Sequence, residues 1–257
     1  MFRTLPPKLL ATAREYAEGH RVPVEPRDAA TVLLLRSGPE GPEVFMMVRR
    51  RSMAFAPGMA VFPGGGVDER DWAATSTGIE RESRPAPRGT DPLSAGATDA
   101  MPVEVATLGT RMGCTEEHAA AVVRAAVREL EEETGVVVEP QDLGLWDAWT
   151  TPEFEPRRYR TWFFTARLPE GQSAEELSTE SSLVAWVRPA DALAKMASGE
   201  WTLMPPTHVS CLRLATFESV DAVMAETRDA AVEMFTPTLE GDGLTSPAWA
   251  ETLLGDG

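Results

Sequence analysis

The stretch A-V-V-R-A-A-V-R-E-L-E-E-E-T-G-V, residues 121–136, decides how this chain is read. On a helix turning about 100° per residue, Val123, Val127, Leu130 and Thr134 fall on one narrow stripe, the expected core-facing side. Glu129, Glu132 and Glu133 stand at i, i+3 and i+4 and share a neighbouring face. Thr115 is placed to cap the helix, with Glu116 and Glu117 in its first turn, and Gly135 is placed to stop it. Three carboxylates at that spacing repel one another, at roughly 0.2–0.5 kcal/mol per pair. A hard divalent cation, Mg²⁺ or Mn²⁺, would compensate, because both favour carboxylate and water oxygens. A merely solvated acidic face is the duller reading, and charge alone favours it.

Working outward, Ala-Ala-Thr-Val-Leu-Leu-Leu-Arg at 29–36 is an apolar, β-branched run that predicts a buried strand. Turn residues at 38–42 and the run Val44–Val48 predict a hairpin with it. A short strand over 59–62 leads into Pro63-Gly64-Gly65-Gly66, where missing side chains let backbone approach a ligand. Residues 69–114 turn rich in proline, glycine, serine, threonine and charge, the composition of a long inserted loop. After Gly135, strands are expected at 136–138, 144–149, 159–166 and 183–187, with a helix opening at Pro189. Residues 205–235 read as helical and the last twenty as a loosely packed tail. The expected class is α/β, a mixed sheet flanked by helices. The expected division is a lead segment over 1–28, a domain over 29–200 containing the insertion, and a helical extension with tail over 201–257.

With 257 residues, 43% hydrophobic and 25% charged, the chain has ample material for a core. Its formal net charge of −16 repels phosphate backbones, which argues against nucleic acid as a partner. An anionic small molecule would then need a local cation or a metal. Two cysteines without metal or redox spacing, and no apolar run near membrane length, predict a cytoplasmic protein with no membrane partner. Cys211 falls on an apolar helical face and reads as packing. His118 and His208 sit in no pattern that would make a catalytic histidine.

The segment R-E-L-E-E-E-T-G-V, 128–136, together with Phe-Pro-Gly-Gly at 62–65, resembles the Nudix box, G-x5-E-x7-R-E-U-x-E-E-x-G-U. The chain is thereby similar to Nudix hydrolases, and the resemblance implies a Nudix-type α/β/α sandwich and Mg²⁺- or Mn²⁺-dependent cleavage of a diphosphate linkage. Glu132 and Glu133 match the family's principal metal ligands, and Glu129 a further ligand or base. The Gly65 carbonyl matches another ligand. Arg128 matches the arginine that braces the catalytic carboxylates. In such enzymes the metal polarises a phosphoryl oxygen and lowers the pKa of an attacking water. Two departures stand out. Gly65 and Arg128 are 63 positions apart where the box has fourteen, which leaves 49 extra residues. The glutamate expected eight positions before the arginine is absent, since residue 120 is alanine; Glu116 or Glu117 is the expected stand-in.

A split box, the run from Arg50 to Gly65, the segment Leu203–Thr207 and the aromatic run 157–164 resemble the Nudix motif 19 branch of coenzyme A diphosphatases. That resemblance implies cleavage of CoA or acyl-CoA to 3′,5′-ADP and a phosphopantetheine product, with ADP-ribose or NADH as the alternative substrate class. A Nudix-fold binding or regulatory module without turnover is the alternative of another kind. The branch's upstream arginine is not matched, because that position holds Ala54. Substrate-binding candidates are Arg50, Arg51, Gly64, Arg157, Arg158 and Tyr159, with Glu180 as an extra base or ligand. The arginines read equally as solvated strand-end or edge-strand charges. The insertion stands open as a lid, a homodimer contact or a disordered loop.

Overall fold

The computed structural model describes residues 5–49, 58–73, 103–175, 177 and 181–255. Its centre is β1 (Arg27–Gly38), whose residues 32–35 are fully buried. Alternation sorts them: Val32 and Leu34 enter one core while Leu33 and Leu35 enter the other, the period of two that a strand covered on both faces demands. β1 pairs antiparallel with β2 (Gly41–Arg49) through the expected hairpin and parallel with β6 (Tyr159–Arg167). The sheet is completed by β3 (Ala60–Val61), β4 (Gly64–Gly66), β5 (Gly144–Thr150) and β7 (Ser181–Val187), seven strands of mixed direction.

Helices cover both faces. α4 (Glu116–Thr134) lies over one, burying Val123 and Leu130 against Leu34, Phe45 and Phe164. Its N-terminus is capped by Thr115, whose hydroxyl accepts from the His118 N–H at 3.2 Å, and Gly135 ends it in a left-handed conformation. The other face is covered by α5 (Pro189–Ala197), α6 (Pro205–Leu214) and α7 (Val220–Arg228), which bury Leu33, Leu35 and Trp146 with Cys211, Leu214 and Val223. Burial pushes the Cys211 thiol up to about 12, so it is packing and not a nucleophile. The result is the expected α/β/α sandwich.

Four expectations change. Residues 136–138 form no strand: Val136 and Val138 are buried, but Gln172 takes both backbone groups of Val137, its Oε1 accepting at 2.8 Å and its Nε2 donating at 2.9 Å. A side-chain amide thus fills the place of a neighbouring strand. The insertion is helical at both roots, α2 (Glu69–Ala73) and α3 (Val103–Met112); its middle, 74–102, lies outside the described residues. Helix does not run to 235, since α7 ends at Arg228. The tail is structured, with a small hairpin of β8 (Leu239–Glu240) and β9 (Gly243–Leu244) followed by α8 (Ala248–Leu254), whose Ala250 is buried. α6 and α7 contribute Val209, Cys211, Leu214, Val220 and Val223 to one of the two cores. Among the described residues no helix is long and apolar enough to cross a membrane.

Candidate active site

The glycine run forms strand β4, paired with Ala29–Thr31 of β1. A Cβ on Gly64 would collide with the Ala30 carbonyl and Thr31, and one on Gly65 would take the space of the Glu129 carboxylate. Only glycine therefore lets this strand slide between β1 and α4. The closeness is used: the Gly64 N–H donates to Glu133 Oε2 at 2.9 Å, which holds a carboxylate that is only 6% exposed.

Arg128 organises the rest. Its guanidinium donates to Asp71 through Nε (3.1 Å) and Nη2 (2.8 Å), to Glu129 Oε1 at 2.7 Å, to Glu132 Oε2 at 3.2 Å and to the Gly66 carbonyl at 3.0 Å. The two-pronged grip on Asp71, then the bond to Glu129, raise its already high pKa. Burial pushes the Glu129 carboxyl above its ordinary range; Arg128 opposes this, and Glu132 and Asp68 add to it. Arg70 reaches Glu132 Oε1 at 3.1 Å from the insertion's first helix.

Asp71 answers the question left by residue 120. It lies six positions after Gly65, where the box pattern calls for its first glutamate, and it is 4% exposed. Glu116 and Glu117, the expected stand-ins, are exposed at the start of α4. The box is thus whole up to its first acid, one methylene shorter, and the 49 extra residues enter between Asp71 and Arg128. Counting forward from the glycine finds this residue; counting back from the arginine misses it.

Gly64, Gly65, Glu129, Glu132 and Glu133 line one wall of a cavity of about 1080 Å³. Arg157 and Tyr159 line the other, with Trp149, Phe154, Phe163 and the Met204–Thr207 segment. Trp149 is held from behind: its Nε1–H donates to Asp147 Oδ2 at 2.6 Å, and Phe235 stands edge-on at 5.0 Å. Burial pushes the Asp147 carboxyl up to about 6, against the bonds from Trp149 and the Ala148 N–H. Arg158 is placed elsewhere. It is 9% exposed and donates to the Thr151 and Val24 carbonyls at 3.1 and 2.8 Å, so it staples loops and does not face the cavity. Arg160 pairs with Asp28 at 2.9 Å. Arg50, Arg51 and Glu180 lie outside the described residues. Glu155, on the β5–β6 loop, does line the cavity, and burial pushes its carboxyl above the usual range.

Whether the donors suit a cation follows from their chemistry. Three carboxylates and a glycine backbone on one wall are hard oxygen donors of the kind Mg²⁺ and Mn²⁺ prefer. Among the described residues no three acidic, histidine or cysteine side chains already converge into a metal cage. Two of the carboxylates are instead engaged by Arg128. A cation would exchange Arg128 at Glu129 and Glu132, and Asp71 and Gly66 would remain to anchor the guanidinium.

A glycine strand wedged against a triple-carboxylate helix and braced by an acid–arginine clamp is the arrangement that the resemblance to Nudix hydrolases implies. Residues 113–205 match the NUDIX domain model, a span that starts at the last residues of the insertion and so takes in the second half of the split box. In fold the chain is similar to a NUDIX hydrolase from Alicyclobacillus acidocaldarius, at a TM-score of 0.57 and 20% identity over 79% of this chain and 96% of that one. In sequence it is 24% identical over 202 residues to a Caenorhabditis elegans protein named "Putative nudix hydrolase 7". That match takes in 76% of this chain and 62% of the relative, so the chain spans less than two thirds of the relative's length.

Proposed function

We propose that this protein is a divalent-metal-dependent hydrolase that cleaves the diphosphate linkage of a nucleotide-like small molecule, with CoA or acyl-CoA as the first substrate to test. The observation that carries the reading is the meeting of Glu129, Glu132 and Glu133 with β4 on one wall of a cavity large enough for such a molecule. Glu129, Glu132, Glu133 and the Gly65 carbonyl would hold Mg²⁺ or Mn²⁺. The bound ion supplies a Lewis acid for a phosphoryl oxygen and positive charge in a chain of net charge −16.

The chain's own groups do the rest. Arg128, anchored by Asp71, keeps Glu129 and Glu132 oriented toward the cavity. Gly64 fixes Glu133. Glu155 takes the proton from the attacking water, since a carboxylate with a raised pKa is a stronger base than a solvated one. It thereby fills the role for which Glu180 stood as the sequence candidate. Tyr159 and Trp149 offer flat faces for a nucleobase, and Arg157 a charge for a phosphate.

The engagement of Glu129 and Glu132 by Arg128 favours a second reading, a ligand-binding module without turnover. A single assay separates them: purified protein with Mg²⁺ or Mn²⁺ is given CoA, acetyl-CoA, ADP-ribose, NADH and nucleoside triphosphates, and products are resolved by chromatography. Preferred cleavage of CoA or acetyl-CoA is the expected result. Preference for ADP-ribose or NADH keeps the chemistry and replaces the substrate. Metal-independent binding of these compounds without any cleavage would leave the module.

A further inference from the structure

The two helical roots of the insertion are tied to different walls of the cavity. At α2 the ties reach the carboxylates. The Asp71 side chain holds Arg128, and the Asp71 carbonyl accepts from Arg124 Nε at 2.6 Å. At α3 they lead to the facing wall. Arg111, in the last turn of that helix, donates through Nη2 to the Thr227 carbonyl at 2.8 Å and through Nε to the Ala230 carbonyl at 2.5 Å. Its own carbonyl accepts the Val232 N–H at 3.1 Å. α7 ends at Arg228, so the two carbonyls lie where a helix has no further N–H of its own to offer. A cation suits that end, because the helix dipole is negative there.

Arg111 thus grips the chain as it leaves α7, and Phe235 joins the cavity wall three residues beyond Val232. Between α7 and Phe235 the chain has no helix or strand of its own. The Phe235 N–H donates to the Ala148 carbonyl at 2.9 Å, and the Thr150 N–H donates to the Phe235 carbonyl at 2.8 Å. The Phe235 ring stands edge-on to Trp149 at 5.0 Å. Trp149, Thr150 and Pro237 all line the cavity.

We propose that Arg111 is a positioning residue for the facing wall: by holding residues 227–232 it sets the Phe235 bridge, and through that bridge Trp149 and Thr150. This rests on the reading of the cavity as the substrate site of a hydrolase. It adds that the insertion's second root controls how the site grips its substrate, while its first root serves the carboxylates. A plain cap on α7 would stabilise that helix and leave Trp149 where it is.

The test compares the wild type with Arg111→Met, which keeps a long apolar stem and removes the donors. Amide hydrogen exchange is followed by mass spectrometry on the free protein. The variant should exchange at least about tenfold faster in peptides holding Thr150 and Phe235, with α4 as protected as before. Steady-state kinetics with Mg²⁺ then use whichever of CoA, ADP-ribose and NADH the wild type cleaves fastest. KM should rise at least about fivefold with kcat within about twofold, the pattern of binding lost equally from ground and transition states. Should Arg111→Met fail to fold, Arg111→Lys carries the same comparison, since it keeps the charge and loses the rigid fork that spans two carbonyls. Unchanged exchange at Thr150 and Phe235, exchange raised evenly over the whole chain, or a fall in kcat at unchanged KM overturns the proposal. So does faster exchange with both constants unchanged, which would leave Arg111 a cap on α7. The expected exchange pattern in a protein that cleaves none of the three compounds would keep the positioning role and overturn the hydrolase reading.

Discussion

The two walls of the cavity are built in opposite ways. The carboxylate wall is short-range and over-determined: three glutamates lie within five residues of one helix, and Arg128 alone engages Asp71, Glu129, Glu132 and the Gly66 carbonyl. The facing wall is assembled from the β5–β6 loop, β6, the Met204–Thr207 segment, the N-terminal helix α1 (Pro7–Ala17) and the β8–β9 hairpin. One wall is charged and held by ion pairs; the other is mostly aromatic or aliphatic, with Glu155 and Arg157 as its charged groups. A diphosphate has the same division, with a reacting centre that needs charge and flanking groups that need shape. Chemistry and selection should therefore come apart under mutation.

The largest effect is expected on the charged wall. Glu132→Gln keeps the size and removes the charge, and kcat should fall at least about a hundredfold, ~2.7 kcal/mol in barrier. Steady-state kinetics with saturating metal checks it. Unchanged turnover would remove Glu132 from the catalytic wall. Glu155→Gln crosses to the other wall and should cost about a hundredfold, the low end for a general base. Its signature is in the pH profile. Glu155 must be ionised to accept a proton, and burial raises its pKa, so wild-type kcat should fall as pH drops through a value above the ordinary carboxylate range. The variant should lose that acid limb. A retained limb would assign it to another group, and the division between walls would sharpen.

Asp71→Asn tests the clamp behind the charged wall. It removes the charge opposite Arg128 at a site only 4% exposed. A charge-assisted bond to a buried partner is worth about 2 kcal/mol, and the midpoint of denaturant unfolding should report that loss. A reduction in kcat should accompany it, because Arg128 then lacks the anchor that orients Glu129 and Glu132. Full stability with reduced kcat would show orientation alone; the reverse would show a structural clamp alone.

The contrast also explains what could be read in advance. Thr115, Gly135 and the carboxylates at i, i+3 and i+4 are set by helical periodicity, so the single window 115–135 displays them. The alternation of 32–35 is equally local. Asp71 shows only when the box is counted from its glycine, since 57 positions separate it from Arg128. Val136–Val138 has the pattern of a strand, yet its partner is the Gln172 side chain, which no local rule supplies. Arg158 looks like a phosphate ligand among aromatics, but its donors meet two backbone carbonyls. The small apolar cluster that includes Leu5, Leu9, Phe154 and Leu244 is the extreme case. Leu5, Leu9 and Leu244 are unremarkable until the fold closes them over Phe154.

The smallest effect expected is Trp149→Phe, on the aromatic wall. It keeps a ring facing the cavity and removes the indole N–H that donates to Asp147 at 2.6 Å. Asp147 has a folded pKa of about 6, above its unfolded value, so its stabilising contribution is present at acid pH and lost as pH rises through about 6. The indole N–H favours the ionised form and offsets part of that loss. Without it, the variant should be about 1 kcal/mol less stable than the wild type at pH 8, over and above any packing change, and this extra loss should vanish near pH 4. Urea unfolding at both pH values measures the difference. The same deficit at both would mean that Trp149 serves the wall by packing alone, and that Asp147 is coupled to something else. A deficit confined to the higher pH would mean that even the apolar wall is aimed by a charge set behind it.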